Sequence, residues 1–70
     1  MGYKLTATGT LEAGKFQTPH DTRSSILVYL SDHHGELIEF DELAGETHSP
    51  RVKLLRVINS LLDERKIQEV

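Results

Sequence analysis

From Tyr3 to Ala13, apolar or small residues recur at every second position: Tyr3, Leu5, Ala7, Gly9, Leu11 and Ala13. Lys4, Thr6, Thr8, Thr10 and Glu12 lie between them. A threonine-rich period of two predicts a half-buried strand. Gly9, on the apolar side, marks a bend, a bulge or a close backbone contact. Gly14 offers a turn, and Lys15-Phe16-Gln17-Thr18 returns as a short second strand before Pro19. Residues 1–19 therefore read as an N-terminal β-hairpin or one bent strand.

After Pro19 the period lengthens. Asp21 or Thr22 is placed to cap a helix, because a short side-chain oxygen accepts the unpaired N–H groups of a first turn. Ile26, Leu27 and Leu30 share one helical face, and Ser31-Asp32-His33-His34-Gly35 ends the run. Glu36 to Phe40 is long enough for one short strand or an extended linker. Asp41 then caps a brief helix through Glu42-Leu43-Ala44, which Gly45 is expected to terminate early. Ser49 as N-cap and Pro50 at the first helical position open the longest helix, predicted over residues 50–64. On it Leu54, Leu55, Ile58, Leu61 and Leu62 form one stripe, with Lys53, Arg56 and Ser60 opposite. Val28, Val52 and Val57 fall off the stripes. Ile67 and Val70 are left for a terminal strand edge.

Residues 22–70 resemble the winged helix-turn-helix superfamily. The pattern runs through Arg23-Ser24-Ser25-Ile26-Leu27, Leu30, Gly35-Glu36-Leu37, Asp41-Glu42-Leu43-Ala44, Ser49-Pro50-Arg51-Val52, Leu55, Ile58, Leu61 and Ile67. The resemblance implies a first helix packed beneath a helix-turn-helix pair, whose second helix enters the DNA major groove. A truncated wing is expected, since Val70 follows what would be its first strand. The N-terminal segment is expected to close a small sheet there by pairing with Ile67–Val70 and with Leu37–Phe40. The expected architecture is a single α+β domain: a winged-helix-like fold with an N-terminal β-segment, three helices and a short C-terminal strand.

Charge changes the picture. The net charge of the 70 residues is −3, unevenly spread. Lys4 and Lys15 against Glu12 leave residues 1–20 at +1, and Arg23 against seven carboxylates leaves residues 21–46 at −6. Residues 47–70, with five cations and three carboxylates, stand at +2. DNA affinity would thus depend on a local patch, opposed by the acidic middle. Arg51, Lys53 and Arg56 near the start of the long helix are the candidates. Arginine bonds two acceptors on guanine, lysine reaches phosphate or base edges, and a helix N-terminus favours phosphate. Thr47, His48 and Ser49 add candidate phosphate contacts from the turn. The alternative is that Lys53 and Arg56 only solvate an amphipathic helix.

Other chemistries are poorly supplied. His33 and His34 are neighbours, which on a helix point about 100° apart, and there is no cysteine, so no metal or cofactor is expected. His20-Asp21 and His48-Ser49 lack a nucleophile–base–orienter set, so the chain is not expected to be an enzyme. No apolar run approaches the roughly 20 residues that cross a bilayer, and the alternating N-terminus is not a secretory signal, so a cytoplasmic location is expected. A chain this short buries only roughly 60% of its unfolded surface, which makes a homodimer a plausible source of further burial. Two functions follow: a small DNA-binding regulator with residues 50–64 as recognition helix, or a winged-helix-like module for protein–protein interaction or dimerisation.

Overall fold

Gly2–Leu5 forms a strand, β1, but the chain turns into a helix directly after it. In the computed structural model, which describes residues 2–16 and 18–70, β1 is followed by α1 (Ala7–Ala13), α2 (Thr22–Asp32) and β2 (Ile38–Glu39). The chain continues through α3 (Phe40–Thr47), α4 (Arg51–Asp63) and β3 (Ile67–Glu69). Among the described residues the protein is an α+β domain of four helices, one more than expected, on a three-stranded antiparallel sheet of order β2-β1-β3.

The extra helix corrects the N-terminal hairpin. Thr6 caps α1, its Oγ1 accepting from the Gly9 N–H at 3.2 Å. The alternating small residues include a second spacing: Gly9 and Ala13 are four apart, hence on one helical face, and both are buried. Leu11, on the apolar side of the strand pattern, is exposed instead. The face must be small because α1 lies against the turn before β3. A Cβ on Gly9 would sit 1.8 Å from the Lys66 carbonyl oxygen. Thr6 also donates its N–H to that oxygen at 3.0 Å and its hydroxyl to the Arg65 carbonyl at 2.5 Å. No strand forms at Lys15, Phe16 or Thr18; the expected second strand also includes Gln17, which lies outside the described residues. Such a strand would find no place beside β1, because both edges of β1 are taken.

Those edges are taken by the segments expected to pair with it. Tyr3 lies opposite Ile38 on one side and Glu69 on the other, and Leu5 opposite Ile67. Gly2 and Val70 exchange N–H···O bonds of 3.1 and 2.8 Å. The alternation is genuine over this stretch, and it buries Tyr3 and Leu5.

Asp21 caps α2 in a reciprocal box. Its carboxylate accepts from the Ser24 N–H at 2.8 Å, and its own N–H donates to Ser24 Oγ at 3.0 Å. Ile26, Leu27 and Leu30 enter the core, and Gly35 (φ +89°) redirects the chain toward β2. α3 starts earlier and ends later than expected. Its N-cap is Glu39, with no side-chain bond, and Asp41 and Glu42 occupy its acidic first turn, which suits the helix dipole. Gly45 does not end it: an interior glycine costs about 1 kcal/mol, and the fully buried Leu43 anchors the turn before it. The helix stops at His48, in the left-handed region at φ 52°. α4 begins one residue later than expected, with Pro50 as N-cap. Ser49 is not the cap, because its hydroxyl reaches back to the Thr47 carbonyl (3.3 Å) and Thr22 Oγ1 (3.1 Å). Leu54, Ile58 and Leu61 are fully buried.

One ion network ties the helix ends. Arg23 bonds Glu12 through Nε (2.8 Å) and Nη2 (3.0 Å), and Glu64 through Nη1 and Nη2 (both 2.8 Å). Lys66 Nζ adds a contact of 3.3 Å to Glu12. The Arg23 hydrogen bonds hold the Glu12 carboxyl below its usual value of 4.5, against the opposing effect of its burial.

Gly9→Ala is expected to lower unfolding stability by about 2–3 kcal/mol in urea titration, since backbone must move to admit the methyl. Because the folded Glu12 carboxyl is depressed, its contribution is present above pH 4.5 and drains away as pH falls below that value. The melting temperature of the wild type should fall through that window, and Glu12→Gln should flatten the fall. Part of the fall remains in the variant, because the Ser24 backbone N–H also depresses Asp21.

Candidate interaction surface on the last two helices

Six residues were expected to form a DNA-contacting site, and the fold does not gather them into one. Thr47 closes α3 with its hydroxyl donated to the Leu43 carbonyl at 2.7 Å, so its proton is already used. Ser49 is engaged with Thr47 and Thr22. His48 is exposed in the left-handed turn between the helices. On α4, Arg51 and Lys53 are two residues apart and so project about 160° from one another. Lys53 and Arg56, three apart, are neighbours on successive turns. Both are exposed, and among the described residues neither makes an ion pair.

Arg51 is occupied. Its guanidinium lies 2.8 Å from Asp41 Oδ1 and 5.0 Å from the Phe40 ring centroid. With side chains 69% and 77% exposed, the Arg51–Asp41 pair contributes little to stability. It does fix the guanidinium above the aromatic ring.

Beside that ring is a shallow groove of about 350 Å³, lined by Phe40, Arg51, Val52 and Leu55. Val52 is 68% exposed and Leu55 48%. Val52 was legible as apolar and off the stripe. Leu55 was not, because five leucines and isoleucines define a stripe too wide to show which edge faces the core. The sheet and α2 pull Leu54, Ile58 and Leu61 inward and turn Leu55 to the rim. Phe40 carried no signal of its own, since only the fold brings the start of α3 beside the start of α4.

A second groove, of about 380 Å³, lies between α2 and the end of α3, lined by Pro19, Ser25, Val28, Tyr29, Asp32, Glu46 and Thr47. The Tyr29 hydroxyl donates to Glu42, and that bond pushes its pKa up to about 12. The Tyr29 hydroxyl is thus committed to Glu42 as a hydrogen-bond donor. Among the described residues no three histidine, aspartate or glutamate side chains are grouped to hold a metal ion. No helix of the described residues is long and apolar enough to cross a membrane.

The orientation of α4 is directly testable. Leu54→Ala should destabilise by about 2–5 kcal/mol, whereas Arg51→Ala and Val52→Asp should each change stability by less than about 0.5 kcal/mol in denaturant titration. A large loss from Val52→Asp would place that face in the core. No family model, curated protein or solved structure matches this chain, which leaves the chemistry of the α3–α4 surface as the ground for its function.

Proposed function

We propose that this chain is a non-catalytic protein-interaction module of winged-helix-like architecture, acting in the cytoplasm through the outer face of α3 and α4. The observation that carries it is the apolar groove at the start of α4. Val52 and Leu55 are exposed where a DNA-reading helix would present polar side chains to base edges. The charge around them points the same way. Beside the groove Asp41 offsets Arg51, and the whole chain is at −3, a balance that opposes a long polyanion such as duplex DNA.

Duplex DNA is the second function. It is favoured by Lys53 and Arg56, adjacent, exposed and free of ion pairs among the described residues. Fluorescence anisotropy with random duplex DNA at about 50 mM and about 200 mM salt separates the two. The expected result is no saturable binding at either concentration. Binding that weakens steeply with salt, and that Lys53→Ala and Arg56→Ala both reduce, would transfer the function to DNA.

A further inference from the structure

Resting on that docking function, we propose that the occupant of the α3–α4 groove is an acidic amphipathic segment of a partner protein. Its apolar side chains seat on Phe40, Val52 and Leu55, and its carboxylates meet Arg56 and Lys53.

Charge complementarity selects the acid. Several of the molecule's other cations are committed internally: Arg23 to Glu12 and Glu64, Lys66 to Glu12, Arg51 to Asp41. Lys53 and Arg56 are not, among the described residues, and Arg56 stands one helical turn after Val52 on the same face. Arg56 therefore sets unneutralised positive charge at one edge of the apolar floor, with Lys53 next to it on the outer face of α4. Arg51 closes the other side with a guanidinium already satisfied by Asp41 and held over Phe40. Its aliphatic stem adds apolar wall.

Size and symmetry select a segment of a partner over a second copy. A stable protein dimer buries roughly 800 Å² on each subunit, a large share of a molecule whose whole surface is 4462 Å². Four lining residues suit two or three anchoring side chains of a bound helix. A two-fold contact would also set the patch against itself, bringing Lys53 and Arg56 toward the same cations of the other copy.

The test is an amide NMR titration of the full chain with two amphipathic peptides of about 15 residues. Both carry leucine at i, i+4 and i+7; one has glutamate at the remaining exposed positions and the other lysine. The acidic peptide is expected to bind at least about tenfold more tightly than the basic one, with shifts confined to residues 40 and 51–56. Val52→Asp, folded by circular dichroism, should weaken it by about tenfold, and the Lys53→Glu, Arg56→Glu double variant should reverse the preference. Equal or tighter binding of the basic peptide at the same amides would overturn the acidic partner while leaving the docking function in place. Concentration-dependent shifts of these amides without peptide would overturn it in favour of a second copy. No shift with either peptide overturns it outright, and if duplex DNA then shifts Lys53 and Arg56, the docking function falls as well.

Discussion

Gly2–Leu5 is paired along both edges, and the rest of the structure is arranged around that fact. Its partners come from the middle of the chain and from its last residues. A strand held by backbone bonds on both sides presents fixed faces, and Tyr3 and Leu5 line the one that meets the helices. β2 and β3 are short edge strands that do not touch each other. Without β1 there is no sheet, and the apolar faces of α2 and α4, which meet each other, would lose the layer that closes them on the other side. In a domain this small, where burial is marginal, these four residues thus hold the sheet side of the core together.

α1 works with β1 to hold the end of the chain. The helix approaches so closely that the Lys66 carbonyl occupies the space a side chain at Gly9 would need. Thr6 bonds two successive carbonyls there, of Arg65 and Lys66. Arg23, Glu12, Glu64 and Lys66 then brace the same corner from the outside. The two sets of contacts differ in kind. Backbone contacts in the corner are short-ranged and insensitive to pH, whereas the ion network is partly exposed and follows the protonation of its carboxylates. Together they set the exit of α4, and so which side of that helix faces inward.

That rotation is what produces the candidate surface. With Leu54, Ile58 and Leu61 pinned in the core, Val52 and Leu55 are turned out beside Phe40, with Arg56 one turn after Val52 and Lys53 next to Arg56 on the outer face. The groove and the unneutralised cations are consequences of one packing decision. The proposed protein ligand rests on that apolar floor, and its proposed acidic character on the cations beside it.

Much of this was determined by the sequence alone. The Asp21 cap, the inward face of α2, the buried stripe of α4 and the pairing of the N-terminal segment with both Leu37–Phe40 and the last residues are local patterns or their direct consequence. They survive because caps and hydrophobic periods act over a few residues. Tertiary structure decided what those patterns leave degenerate. Gly9 and Ala13 satisfy a strand period and a helix spacing at once, and only the Lys66 carbonyl pressed against that face shows why a small-sided helix belongs there. Gly45 reads as a stop, yet the buried Leu43 anchors α3 through it. The breadth of the α4 stripe counted Leu55 with the core, whereas it is turned out to the surface, and Phe40 and Asp41 become part of the surface only where α3 crosses the start of α4. Sequence carries the energies of single elements, while the side of an element that meets solvent is set by which neighbours compete for its other sides.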